Sequence, residues 1–277
     1  MNYNKIGFIG SGKMAGAIIK GLIINGFTSP ERIIATQAEP DGLRDKSKAL
    51  YGIKVILNNK QLVKYADVIF IAVKPNQVLG VLKEIEPFVT TEKLIVSIAA
   101  GISTAKLEMN LPQETRVIRV MPNAPAMIGE GMSGMIGGKF ASNKDLDYVE
   151  NLLLTIGKCI VVNNESQMDI VTAISGSGPA FFYKVINDIA RAGEKLGMDY
   201  NKALLLSIQT AIGSAKMALK RKESMETLIS NVATKGGCTR VGVDVMEGIG
   251  TNNGINTEDI FFEIIKATTE KVSELGK

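Results

Sequence analysis

The sequence predicts an α/β protein: a doubly wound parallel sheet at the N-terminus, followed by an all-α region that pairs with a second copy of the chain. Three observations lead there. Short apolar runs alternate with helical stretches in the first part of the chain, a glycine-rich turn directly follows the first run, and β-rich runs stop after about residue 165.

Taken in order, Lys5 to Ile9 reads as a strand and Met14 to Asn25 as a helix ended by Gly26. Arg32 to Thr36 is a strand, Asp41 to Tyr51 a helix ended by Gly52, Lys54 to Leu57 a strand, and Gln61 to Tyr65 a short helix. Val68 to Val73 and Leu94 to Ile98 are continuous apolar runs, as expected of strands covered on both faces. Further strands are expected at Arg116 to Met121, Met132 to Gly137 and Cys159 to Val162. Helices follow at Met168 to Ser175, Pro179 to Leu196, Asn201 to Lys220, Ser224 to Val232, Thr239 to Gly248 and Thr257 to Glu274. The domains expected are therefore 1–164 and 165–277. The segment Ala203 to Leu219 is apolar around most of its circumference, which asks for burial on several sides. A small helical domain provides that most simply as a dimer of interlocked helices.

With 277 residues there is room for two domains, each with its own core. Charge is scattered, with a net of +4, and the one basic run, Lys220-Arg221-Lys222, suits a helix C-terminus rather than a nucleic-acid face. No apolar run is long enough to span a bilayer, so no membrane partner is expected. The opening residues run straight into a strand, without the look of a secretion signal. Cys159 and Cys238 are too few and too far apart for a disulfide framework, which fits a reducing, cytoplasmic setting. The chain contains no histidine, so the commonest general base and every histidine metal site are excluded, and no metal is expected. The chemistry must come mostly from a bound cofactor.

The turn GFIGSGKMAGA, residues 7–17, has two parses. A triphosphate loop needs Ser or Thr after Lys13, but Met14 stands there. The dinucleotide fingerprint G-x-G-x-x-A fits without a gap. Gly10 makes the tight turn, Gly12 admits the pyrophosphate and Ala15 packs helix against strand. The first domain is thus read as a dinucleotide-binding Rossmann domain. Its second strand ends in Thr36-Gln37-Ala38 without an acid to grip a ribose 2′-hydroxyl, and Glu39 lies just beyond. A neutral turn admits a 2′-phosphate and tilts the reading toward NADPH over NADH.

Ligands of open α/β sheets sit beyond the strands' carboxyl ends. Here those ends are AVKP (Ala72 to Pro75), SIAAG (Ser97 to Gly101) and VMPNAP (Val120 to Pro125). Lys74 there reads as a solvated side chain before it reads as a base. The helical part adds two glycine joints. SGSGPAFFY, Ser175 to Tyr183, places Pro179 at a helix start, and its glycines serve either function or close helix packing. ATKGGCTR, Ala233 to Arg240, feeds Gly236-Gly237 into a helix with Thr239 beside it, offering free N–H groups to an anion.

These motifs, in this order and over nearly the whole length, resemble the pyrroline-5-carboxylate reductase family. The resemblance implies a Rossmann domain, an all-α dimerisation and substrate domain, and a homodimer or a higher oligomer built from dimers. It implies reduction of L-1-pyrroline-5-carboxylate, a small imino acid, to L-proline by NADPH or NADH, the last step of proline biosynthesis. By position, Ile9, Gly10, Ser11, Gly12, Lys13 and Met14 would hold the pyrophosphate, and Thr36 and Asn59 the adenosine ribose and its 2′-phosphate. Ala72, Val73, Lys74, Pro75, Ile98, Ala99 and Ala100 would line the nicotinamide side, with Asn123 placed among the cofactor residues. Thr234, Gly236, Gly237, Cys238 and Thr239 would form the substrate side. Amides around Gly237 and Cys238 would hold the carboxylate, and Thr239, as the catalytic residue, the ring nitrogen.

The chain departs from the family's usual S-P-G-G-T-T at Thr234-Lys235-Gly236-Gly237-Cys238-Thr239, and Gly248 to Asp259 resembles an insertion. Cys238 either presents a reactive thiol at a helix start or, as the favoured reading, stands in for Thr and offers its backbone N–H. Two other functions stay open at this point: reduction of another cyclic imino acid, and a non-catalytic NADP(H) sensor.

Overall fold

The computed structural model describes residues 3–38, 45, 49–249 and 256–275. The expected helix Asp41 to Tyr51 lies largely outside these, as do Glu39 and the middle of the insertion-like segment Gly248 to Asp259. Contacts divide the chain into two compact units, one made of 1–177 and 268–277, the other of 178–267.

The first unit holds one eight-stranded sheet in the order β3-β2-β1-β4-β5-β6-β7-β8. The strands are β1 (Ile6–Ile9), β2 (Ile33–Thr36), β3 (Lys54–Ile56), β4 (Val68–Ile71), β5 (Leu94–Ser97), β6 (Arg116–Met121), β7 (Gly131–Gly137) and β8 (Gly157–Val161). The first six run parallel to one another. β7 turns antiparallel to β6, because the Pro122–Glu130 connection is too short for the crossover that parallel neighbours need. β8 is parallel to β7 again, after the crossover helix α5 (Asn143–Leu153).

Successive residues of a strand enter opposite sides of the sheet. Phe8 and Phe70 stack with their ring centroids 4.7 Å apart in one apolar cluster, together with Ile18 of α1 (Lys13–Ile24) and Leu152. Ile9, Ile69 and Ile71 enter the other, with Leu62 of α2 (Asn59–Tyr65) and Leu82 of α3 (Val78–Ile85). The sequence reading assigned no element to α3, to α4 (Thr104–Glu108) or to α5. α4 is short, and α3 and α5 present only a narrow apolar stripe to the sheet. Arg119, a charge inside β6, is only 2% exposed. It is satisfied as a buried charge must be, by Glu165 and, at 3.3 Å, by Asp169, both on α6 (Glu165–Val171). Asp169 also accepts the Ser273 hydroxyl at 3.0 Å, tying the C-terminal segment to this unit.

The second unit consists of α7 (Gly178–Lys195), α8 (Tyr200–Lys220), α9 (Met225–Val232), α10 (Cys238–Met246) and the first part of α11 (Thr257–Leu275). α7 and α8 meet along small residues: a Cβ on Gly193 would lie 3.2 Å from the Ala203 Cβ. That close seam buries Ala190, Ala203 and Ser207 but leaves the large apolar side chains outside it. Both apolar clusters belong to the first unit. The expectation of a core in each domain is therefore corrected: among the described residues, the helices of the second unit enclose no cluster of their own. The predicted helix Met168 to Ser175 is also revised. α6 ends at Val171, and Thr172–Gly176 is a π-turn.

Candidate functional site

In the first unit the strand register aligns the predicted cofactor residues along one edge of the sheet. Thr36, Ile9, Ile71 and Ser97 are paired neighbours across β2, β1, β4 and β5. The next hydrogen bonds, Ala72 N–H to the Ile9 carbonyl at 2.8 Å and Ile98 N–H to the Ile71 carbonyl at 3.1 Å, carry that alignment past the strand ends. Gly10, Ala72 and Ile98 therefore stand side by side. Ala99 is buried next to them, and Ala100 half-buried. Val73 is half-buried, while Lys74 and Pro75 are exposed and line a cleft of about 490 Å³ with Ile102.

The glycine turn is shaped by two different needs. Gly10 has φ of +98°, and a Cβ there would come within 2.6 Å of the Ala72 carbonyl oxygen, so this position excludes any side chain. Gly12 has open space around it, with nothing within 4 Å of a Cβ. It caps α1 through extended backbone without any side-chain hydrogen bond, leaving the N–H groups of the first turn free. Beside it Ser11 is buried, Lys13 exposed and Met14 half-buried. Free donors, open space and the positive end of a helix dipole are what a pyrophosphate needs.

Thr36 and Asn59, 23 residues apart in sequence, are bonded to each other. The Thr36 hydroxyl donates to Asn59 Oδ1 at 2.8 Å and accepts the Gly10 N–H at 3.4 Å. Asn59 Nδ2 in turn donates to Glu84 at 2.8 Å. Glu84 is a participant the sequence reading missed, and no motif signalled it, because it sits on a short helix without a fingerprint. Asn123 behaves differently from the rest. Its amide is engaged within the protein, with Met132 on one side and Ser175 on the other.

In the second unit, residues 234–237 form a tight turn. The Gly237 N–H donates to the Thr234 carbonyl at 2.9 Å, and Gly236 has φ of +76°, the pattern of a type II turn. A Cβ on Gly237 would meet the Thr234 hydroxyl at 2.9 Å, so both glycines have a local steric reason. Because Gly237 commits its N–H inside the turn, the free donors at the start of α10 shift one residue on, to Cys238 and Thr239. Both are exposed. The other cysteine, Cys159, is different: burial, reinforced by Glu150, pushes its thiol up to about 12 and keeps it protonated. Among the described residues no cluster of side chains could hold a metal ion, and no helix is long and apolar enough to cross a membrane.

Taken together, the strand order and the open glycine turn belong to an NAD(P)-dependent oxidoreductase. The chain belongs to the pyrroline-5-carboxylate reductase family. It is 38% identical over 277 residues to a pyrroline-5-carboxylate reductase of Methanosarcina acetivorans, covering 100% of both chains. To the enzyme of that name from Pseudomonas aeruginosa it is 34% identical, covering 100% of this chain and 98% of the other. Residues 165–275 match the family described as pyrroline-5-carboxylate reductase dimerisation, and residues 5–101 match NADP oxidoreductase coenzyme F420-dependent. Among solved structures, a pyrroline-5-carboxylate reductase of Coxiella burnetii superposes with a TM-score of 0.91 at 33% identity, covering 100% of each chain. A Plasmodium falciparum pyrroline carboxylate reductase with NADP bound does so at 0.84 and 30%, covering 100% of this chain and 99% of that one.

Proposed function

We infer that this chain reduces L-1-pyrroline-5-carboxylate to L-proline with NAD(P)H, the last step of proline biosynthesis, and does so as a cytoplasmic homodimer. The observation that carries the reading is that a chain matching its reductase relatives over their whole length keeps both glycine joints, each with free N–H donors at a helix start.

Gly10, Ser11, Gly12 and the first-turn amides of α1 hold the pyrophosphate, while Thr36 and Asn59 meet the adenosine ribose. Neutral hydroxyl and amide groups tolerate a 2′-phosphate, which supports NADPH. The residues past β4 and β5 offer small side chains and backbone to the flat ring. When bound, NAD(P)H supplies a hydride for the carbon of the C=N bond.

Cys238 and Thr239 present their N–H groups to the substrate carboxylate, and the Thr239 hydroxyl hydrogen-bonds the ring nitrogen. A protonated imine already carries its charge at C=N, so Thr239 orients and stabilises the nitrogen without acting as a strong acid. That suits a chain with no histidine. Holding the reactants in near-attack geometry provides much of the acceleration. The exposed Cys238 contributes its backbone, in the position where the family pattern has Thr.

The homodimer is supported by the match of residues 165–275 to a dimerisation region and by the uncovered apolar side chains of α8. Two unpaired cysteines fit a reducing compartment. The test follows NADPH and NADH absorbance with pyrroline-5-carboxylate and with its six-membered homologue. Consumption with the five-membered ring is expected. Consumption with the larger ring alone, or tight cofactor binding without turnover, would overturn the reading.

A further inference from the structure

Two motifs that stand apart in the sequence, VMPNAP and SGSGP, are bonded to each other within the first unit. Asn123 is 9% exposed and does not cap the 3₁₀ turn it precedes, the usual use of Asn at such a position. Its Oδ1 accepts the Met132 N–H at 2.9 Å. Its Nδ2 donates to the Ser175 carbonyl at 3.1 Å and to the Ser175 hydroxyl oxygen at 3.3 Å. Ser175 closes the ring by donating its hydroxyl to the Met132 carbonyl at 3.1 Å.

Chain chemistry explains why a donor is needed there. In a continuous helix the Ser175 carbonyl would accept the N–H of residue 179, but that residue is Pro179 and has none. The chain widens at this point instead. The Ser177 N–H reaches back five residues to the Thr172 carbonyl at 2.9 Å, forming the π-turn Thr172–Gly176. Such turns gather at functional sites. Gly176 gives room for the Met121 methyl, which a Cβ would approach within 2.5 Å. End of β6, start of β7 and π-turn thus form one bonded knot, immediately before the chain leaves the first unit at Ser177.

We propose that Asn123 is a positioning residue that supplies the hydrogen bond Pro179 withholds, holding the π-turn from which the chain enters the unit carrying Thr239. It acts on turnover through Ser175 and does not bind the cofactor. This rests on the reductase reading, since its consequence is measured on that reaction.

The experiment compares Asn123→Ala, Ser175→Ala, Ser175→Thr and the double variant Asn123→Ala/Pro179→Ala. Readouts are kcat, NADPH Kd from a fluorescence titration without substrate, and amide hydrogen exchange over residues 172–178. Asn123→Ala takes the partner from the half-buried Ser175 carbonyl and from the Met132 N–H, and is expected to lower kcat about tenfold. NADPH Kd should stay within about twofold, and exchange at 172–178 should quicken. Ser175→Ala should show a weaker form of the same pattern, and Ser175→Thr should restore it. The double variant regains a backbone N–H for the Ser175 carbonyl, though no partner for the Met132 N–H, and should recover part of kcat, which no loss of a cofactor contact could do. A tenfold rise in NADPH Kd with unchanged exchange, or failure of Pro179→Ala to rescue kcat, overturns the proposal. Should Asn123→Ala not fold, the Ser175 pair decides by the same criteria. If the wild-type enzyme itself consumes no NADPH, the reductase reading fails, while Kd and exchange still decide whether Asn123 holds the cofactor or the turn.

Discussion

In the first unit Phe8, Ile18, Phe70 and Leu152 are fully enclosed, whereas in the second Phe182 and Leu205 are each 68% exposed and Leu219 72%. Both units carry large apolar side chains; they differ in what covers them. A parallel sheet is covered on both faces by helices of its own chain, so one copy completes the core. A pair of helices that meets along Ala and Gly has already used its contact face on small residues. Its large side chains then need a surface that one chain does not provide. The exposed Leu205, Ile208, Ile212 and Leu219 recur at helical spacing along α8, as one stripe waiting for a facing helix.

The largest expected effect tests that stripe. Ile212→Asp places a charge in the middle of it in both copies of a symmetric dimer, at about 3–5 kcal/mol for a charge left unpaired. Light scattering should show monomers, with the thermal transition of the first unit retained. An unchanged dimer would move the interface elsewhere and break the comparison.

Next comes the self-sufficient unit. Gly10→Ala should cost about 3 kcal/mol in thermal or denaturant unfolding, since a side chain at positive φ would also press on the Ala72 carbonyl. Gly12→Ala, with open space around it, should leave stability within about 0.5 kcal/mol while weakening NADPH binding. Equal stability losses at both glycines would refute the separation of a steric from a ligand-driven need.

Thr239→Ala is expected to lower kcat/KM by an amount equivalent to about 1–3 kcal/mol, the range for leaving a polar partner unpaired, with NADPH binding unchanged. Unaltered steady-state kinetics would remove Thr239 from the mechanism. In the same joint, Cys238→Thr should stay active and become insensitive to iodoacetamide. The smallest effect belongs to Lys235→Pro, which restores the proline of the family pattern at the second position of the turn. With Gly236 already at positive φ, melting should rise by the equivalent of about 0.4–1 kcal/mol. A fall would show that the Lys235 conformation is not that of a type II turn.

Much of the first unit was legible because its signals are local. Four-residue apolar runs became strands within a residue or two of their expected ends, and the spacing of Gly10 and Gly12 reported the needs of a turn that closes on itself. The helix starts at Pro179 and Thr239 were read from capping chemistry in the same way. Other features depend on distance. Asn59 and Glu84 lie on separate helices, and Asn123 meets Ser175 across 52 residues of sequence. No pattern within a window of a dozen residues contains such pairs. The antiparallel turn of β7 followed from the length of one connection, a signal present in the sequence but overlooked beside stronger strand runs.

By itself, then, the amino-acid order determined where the chain extends, coils and turns, and which family its glycine joints belong to, because steric and periodic preferences act between near neighbours. Only the tertiary structure decided which polar groups share a hydrogen bond, that Gly237 commits its N–H to the Thr234 carbonyl, and that residues 268–277 return to the first unit. Those outcomes are settled by competition among partners that folding alone brings within 3 Å or so of one another.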